Sequence, residues 1–233
     1  MAKKRRPKRR HNSLQTIIVA CLLLCLCCFG IISYLESIQI PWNLTLVNEW
    51  NPLPEDYTVE LTELANGQKV DIRIYPDLQQ MFDDARAQGV HPFVREGHRT
   101  AQQQQDIMDE RIQEYLNAGY SQEEAIEAAR DWVALPGTSE HELGLAVDIN
   151  ADVTLSSSEE VYDWLAKHAH EYGFILRYPE GKEELTGISY EPWHFRYVGL
   201  EDAQKIYTQG ICLEEYIQRK EEKIPALFRA GLS

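Results

Sequence analysis

Apolar and polar positions along this chain change period several times, and each change marks an element. From Val59 to Tyr75 they alternate around Asn66-Gly67, the pattern of a short hairpin that turns at an Asn-Gly pair. Pro76-Asp77 then opens a helix with Leu78, Met81, Phe82 and Ala85 on one stripe, stopped near Gly89. His91-Pro92-Phe93-Val94 reads as a short buried strand ending at Arg95. Thr100 is placed to cap a helix to about Leu116, and Ser121 with Glu124 forms a capping box for a second, to about Asp131. Leu145 to Ile149 alternates as a strand, Ser158 to Tyr172 has a helical period, and Phe174–Tyr178 and His194–Val198 read as strands. Leu200 to Lys220 carries one or two short helices. This order lacks regular βαβ alternation. It implies an α+β fold, a small antiparallel sheet flanked by helices.

Upstream of Val59 the pattern differs. Residues 36–58 hold Pro41, Pro52 and Pro54 with scattered Asn and no sustained period, and read as a linker. Ile17 through Leu35 is a run of nineteen uncharged residues. As a helix rising about 1.5 Å per residue it would reach roughly 28 Å, enough to cross the hydrocarbon core. Lys3, Lys4, Arg5, Arg6, Lys8, Arg9 and Arg10 precede it, and the first acidic residue is Glu36. That asymmetry places the head in the cytoplasm and everything after Leu35 outside. A cleaved signal peptide is the rival reading. The apolar run exceeds an ordinary signal core, however, and no small-x-small site follows before Glu36. Ile18-Val19-Ala20-Cys21 loosely resembles a lipoprotein cleavage box but falls near the start of the run. The expected organisation is a basic cytoplasmic head (1–13), a transmembrane signal-anchor helix (14–35), the linker (36–58), a catalytic domain (59–200) and a helical C-terminal tail (201–233). The chain is thereby read as a single-pass cell-membrane protein with an extracellular domain.

Charge sharpens this picture. The seven basic residues of the head are taken from 23 in all, leaving 16 against 37 acidic residues, or about −21 for the remainder. Such a domain repels phosphates, so the basic head is a topology signal and nucleic acid is excluded as a partner. Four of the five Cys (21, 25, 27, 28) lie in the apolar run, where they act as small apolar residues. Cys212 is alone outside it, so the domain holds no internal disulfide and relies on its core and on metal.

The chemistry concentrates in Ser139-Glu140-His141-Glu142-Leu143-Gly144-Leu145-Ala146-Val147-Asp148 and in Glu191-Pro192-Trp193-His194. Two imidazoles, a carboxylate and a separate glutamate are what a hydrolytic zinc site needs: three ligands, an open position for water, and a base. Taken singly, each residue has a bland reading. Asp148 can end a strand ahead of Asn150-Ala151-Asp152, a lone His194 is usually a satisfied core or surface histidine, and Glu191 can be a solvated turn residue. Alternation along Leu145–Ile149 turns Ala146, Asp148 and Asn150 to one side. Trp193, Phe195 and Tyr197 likewise share a face, which leaves His194 on the other. A carboxylate among buried apolar neighbours is costly unless paired or metal-bound.

The combined pattern, Ser-x-His-x-x-Gly-x-Ala-x-Asp with Glu-x-x-His, resembles the M15 metallopeptidases, specifically the VanY-type D-alanyl-D-alanine carboxypeptidases. The likeness runs from about Val94 to Gly199. It includes Trp132-Val133-Ala134, Pro136-Gly137 and Phe174-Ile175-Leu176-Arg177-Tyr178. It implies the hedgehog-like zinc peptidase fold, with His141, Asp148 and His194 ligating Zn2+ and Glu191 activating the water. A competing assignment makes Glu191 a fourth ligand. Gly97-His98-Arg99-Thr100 with Gln104 resembles the family's Gly-Tyr-Arg-Ser-x-x-x-Gln segment, with His98 for Tyr and Thr100 for Ser. The resemblance puts Arg99 near the scissile carbonyl or the terminal carboxylate, with Ser139 and Gln104 orienting the peptide. His168 and His170 are expected to be solvated and His91 structural. The implied substrates are peptidoglycan stem peptides ending in D-Ala-D-Ala. The rivals are an L,D-carboxypeptidase or endopeptidase of the same family, and a noncatalytic zinc-containing wall-binding module. Glu191 argues against the last, since a pure binder needs no base.

Overall fold

In the computed structural model, which describes residues 17–19, 21–22 and 41–222, the chain divides after Pro41. The unit from Trp42 onward carries every strand described. Strands β1 (Leu61–Glu63) and β2 (Lys69–Asp71) pair antiparallel around the Asn66-Gly67 turn, where Gly67 takes φ +84°. Asn66 Nδ2 donates to the Val94 carbonyl at 2.7 Å and ties this hairpin to the main sheet. That sheet joins β3 (Pro92–Glu96), β4 (Ala146–Ala151), β5 (Phe174–Leu176) and β6 (His194–Tyr197), all antiparallel, in the order β3-β4-β6-β5. Around it lie α1 (Tyr75–Ala87), α2 (Ala101–Asn117), α3 (Gln122–Arg130), α4 (Ser158–His168), α5 (Glu183–Thr186), α6 (Leu200–Gln209) and α7 (Leu213–Glu222). The architecture is therefore mixed α+β, with small antiparallel sheets flanked by helices.

The local signals act as expected where they are self-contained. Thr100 with Gln103, Ser121 with Glu124 and Ser157 with Glu160 each close a reciprocal capping box at the start of a helix. The main core sits on one side of β4 and β6. Leu145, Val147, Ile149 and Phe195 pack there against Leu78, Met81, Phe82 and Ala85 of α1 and Val161, Trp164 and Leu165 of α4. The other side of the same strands carries Asp148 and His194.

Four expectations change in three dimensions. β3 is an edge strand of which Pro92 and Val94 are buried while Phe93 is exposed, so it is half-buried rather than buried. The helix expected over Ser158–Tyr172 stops at His168; Ala169–Tyr172 tightens into a 3-10 turn that ends at Gly173. In that turn His170 is buried and stacks on Tyr207 with ring centroids 3.6 Å apart, not solvated as expected, whereas His168 is half-buried, its ring 4.8 Å from that of Trp164. Of the stretch read as a linker, residues from Trp42 on fold with the domain. Leu44 and Val47 are fully buried, and Leu44 joins Ile175, Val198, Ala203, Ile206, Leu213, Tyr216 and Ile217 in a second cluster. This strap shows no period because it is held by isolated anchors, not by one face. α6 and α7 of the tail close the same cluster. The head, nearly all of the expected membrane segment 14–35, residues 36–40 and residues 223–233 lie outside the described residues. Among the described residues no helix is long and apolar enough to cross a membrane.

Candidate metal centre

The pairing register of the two central strands assembles the site. Asp148 of β4 stands directly opposite His194 of β6, a cross-strand pair on the face away from the main core. His141 arrives from the 3-10 turn Glu140–Leu143. Gly144 then takes φ +74° and swings the chain into β4. Its carbonyl accepts from the Asp71 N–H at 3.0 Å, and a Cβ there would press on that nitrogen at 3.2 Å. His141 Nε2 lies 3.4 Å and His194 Nδ1 3.0 Å from the same Asp148 Oδ1, with the two rings edge-on at 4.8 Å. The ligand atoms of these three buried residues fall within 4.8 Å of one another.

The protonation pattern fits a cation there. His141 Nδ1 is 2.7 Å from the Gly97 carbonyl, which only accepts, so Nδ1 carries the proton and Nε2 presents its lone pair. Gly97 is required at that point because a Cβ would collide with the Lys69 carbonyl. Burial, aided by the Arg99 charge, pushes the His141 imidazole down to about 4, so it is neutral at pH 7. Burial pushes the Asp148 carboxyl up, but His141 and His194 overcome it and hold it well below the usual carboxylate range. A lone pair thus faces an ionised oxygen, and Asp148 Oδ1 has no hydrogen-bond partner among the described residues. A divalent ion relieves this clash of acceptors, and the two nitrogens and one oxygen suit zinc.

Glu191 sits beside the cluster but not in it. Its Oε2 is 3.5 Å from His194 Nδ1, its N–H donates to the Tyr178 carbonyl at 3.2 Å, and its own carbonyl accepts from His194 N–H at 3.2 Å. Burial first, with Asp148 adding and His194 and Arg99 opposing, pushes its carboxyl up to about 7. Arg99 is also brought in. Nη2 donates to Asp148 Oδ2 at 3.2 Å and Nη1 to Gln104 Oε1 at 3.3 Å, while its backbone N–H donates to the His141 carbonyl at 3.2 Å. Gln104 is buried, and its Nε2 donates to the Ala134 carbonyl at 2.7 Å, so both ends of its amide engage the protein. Ser139 is buried in the wall of the same cleft. This cavity of about 410 Å³ runs from His141, Asp148, Glu191 and His194 out to Glu110, Arg111, Trp132 and Trp193.

Sequence reasoning missed the charges beneath the site. Glu140, Arg177 and Arg196 are fully buried, and one glutamate oxygen accepts from both guanidinium groups. Tyr178, also unassigned, packs its ring at 4.8 Å on His194. A signal was present: each arginine interrupts an otherwise apolar strand segment, a placement that is expensive without a partner.

Comparison with known proteins adds to this geometry. The VanY family model, described as D-alanyl-D-alanine carboxypeptidase, matches residues 67–200. A D-alanyl-D-alanine carboxypeptidase of Enterococcus faecalis is 58% identical over 176 residues, which span 76% of this chain and 66% of that protein, just under two thirds of its length. Among solved structures, a vancomycin resistance D,D-pentapeptidase VanY variant in complex with Zn(II) aligns with TM-score 0.75 and 58% identity, over 76% of this chain and 99% of that one. VanYB in complex with D-alanine-D-alanine aligns with TM-score 0.76 and 57% identity, over 76% and 98%.

Proposed function

Since the chain belongs to the VanY family of zinc D-alanyl-D-alanine carboxypeptidases, we propose that it removes the C-terminal D-Ala from peptidoglycan stem peptides ending in D-Ala-D-Ala. We place this activity outside the cell, with segment 14–35 as the membrane anchor. The observation that carries the reading is the convergence of His141 Nε2 and His194 Nδ1 on one Asp148 oxygen, with Glu191 3.5 Å from His194.

His141, Asp148 and His194 are the residues that would hold zinc. When bound, zinc acts as a Lewis acid and brings the ionisation of water toward neutrality. Glu191 serves as the base: a carboxyl pushed up to about 7 takes a proton from the attacking water and returns it to the departing amine. The buried Tyr178 and His194 rings limit water beside it. Arg99, anchored through Asp148 and Gln104, offers its cation to a substrate oxygen, which is the scissile carbonyl or the terminal carboxylate. Gln104 acts through Arg99, and Ser139 lines the wall along which the peptide lies. The far end of the cavity leaves room for the stem residues upstream of the scissile bond.

The test is incubation of the chain with synthetic penta- and tetrapeptide stems and mass analysis of the products. Loss of one D-Ala from the pentapeptide is expected. Cleavage confined to the tetrapeptide would make it an L,D-carboxypeptidase, internal cleavage an endopeptidase, and zinc binding without turnover a binding module.

A further inference from the structure

Four charged side chains lie together beneath the metal-ligand turn, outside the chemistry assigned above. Glu140, the residue before His141, accepts on Oε1 from Arg177 Nε at 2.8 Å and from Arg196 Nη1 at 2.7 Å. All three side chains are wholly buried. Arg196 follows His194 by two residues in β6, and its Nη2 donates to the carbonyls of Asn43 at 3.1 Å and Thr45 at 2.9 Å. Arg177, just past β5, sends Nη1 and Nη2 to Glu214 at 2.9 and 2.6 Å. Glu214 lies on α7 and also accepts from Asn48 Nδ2 at 3.1 Å. Two carboxylates thus balance two guanidinium groups, each fork fixed in direction by paired or converging contacts. The strap at residues 43–48 and helix α7 both fall outside the matched stretch 67–200, yet both supply partners to it.

We propose that this tetrad is a positioning device for the metal ligands. Glu140 fixes the turn that presents His141 and, through Arg196, the strand that presents His194. Glu214 is the outer carboxylate that keeps Arg177 aligned, which makes the C-terminal helix part of the catalytic apparatus. Buried ion pairs contribute little stability over apolar packing of the same volume, so their use here points to orientation. The geometry has the form expected of such a role, because one carboxylate oxygen spans the elements that carry two different ligands. Glu140 adjoins His141 along the chain and Arg196 lies two residues beyond His194, so the tetrad acts on the ligands through the backbone that presents them.

This inference rests on the reading that His141, Asp148 and His194 hold zinc, and the experiment separates the two. Glu214→Gln and Glu214→Asp would be made in the whole chain in detergent. Zinc affinity would be measured by chelator competition, and the visible absorption of the cobalt-substituted chain recorded. Glu214→Gln is expected to keep its helical circular dichroism, lose about 3-fold or more in zinc affinity, less than the roughly 10–100-fold typical of a group bonded directly to a ligand, and shift the cobalt bands. Glu214→Asp, which retains the charge, is expected to lose less. A folded Glu214→Gln with unchanged zinc affinity and cobalt spectrum overturns the proposal. If Glu214→Gln does not fold, Asn48→Asp, which keeps the Oδ1 that accepts from Trp50 and Asn51 and loses the Nδ2 donor to Glu214, decides on the same readouts: weaker zinc binding supports the device, and unchanged binding overturns it. A wild-type chain that binds no zinc sinks the site itself, a different failure.

Discussion

Replacing Glu191 with Gln should separate catalysis from stability in opposite directions. Glu191 is 7% exposed, and its carboxyl is pushed up to about 7, mainly by burial, from its ordinary value near 4.5. At about 1.36 kcal/mol per unit, holding it ionised in the fold costs about 3 kcal/mol. The sign follows from proton counts. Between pH 4.5 and 7 the folded carboxyl keeps a proton that the unfolded one has lost, so this group's contribution to stability falls as pH rises and is gone above about 7. His141 acts in the reverse sense. Its imidazole, pushed down from 6.5 to about 4, makes stability fall as pH drops through that window, by a similar amount. In the metal-free wild type the two slopes nearly cancel between pH 4.5 and 6.5. Glu191→Gln keeps only the His141 slope. Its stability advantage should therefore grow from near zero at pH 4.5 to about 3 kcal/mol above pH 7. Urea unfolding of the metal-free chains across pH 4–8, followed by tryptophan fluorescence, measures that difference. With zinc restored, kcat should fall by about 10²–10⁴ while zinc is retained. A pH-independent difference, or a mutant that is less stable above pH 7, would refute the burial argument. Loss of zinc would instead make Glu191 a ligand.

Other expectations follow from single contacts. Gly97→Ala drives a Cβ into the Lys69 carbonyl and so moves the acceptor from His141 Nδ1; we expect a loss of about 1–3 kcal/mol in stability and about 10-fold or more in zinc affinity, read by urea unfolding and chelator competition. Asp148→Asn removes the shared anionic oxygen and should abolish stoichiometric zinc in elemental analysis, although the strand pairing to His194 persists. Arg99→Ala should lower kcat by about 10²–10³ if the guanidinium polarises the scissile carbonyl, whereas a KM effect that disappears with C-terminally amidated peptides would assign it to the carboxylate. For the anchor, protease added to intact cells should cut beyond Leu35 and spare the basic head; a mature chain beginning past Ser33 would show cleavage instead.

How much of this was legible in sequence depends on the range over which each feature acts. Helix starts are local. Thr100 and Ser121 reach a backbone N–H three residues on, so their capping boxes could be read directly. The α1 stripe was legible because its partners need only be apolar, and the strand alternation placed Asp148 and His194 on the faces away from the core. The metal residues were findable because their chemistry is rare and their spacing carries a family pattern. What sequence could not supply was register. Only the pairing of β4 with β6 sets Asp148 opposite His194, and only the approach of Gly97 selects the His141 nitrogen that faces the metal. Nor does the sequence show that the Gln104 amide spans Arg99 and Ala134. The strap at residues 42–48 reads as a linker in sequence, and nothing there pairs the arginines at 177 and 196 with Glu140. The carboxylate and strap partners of these two arginines lie between 37 and 153 residues away, and no periodicity encodes a contact at that distance. Periodicity and capping specify elements through neighbours on the chain, while the charges that hold this site meet only after those elements have packed.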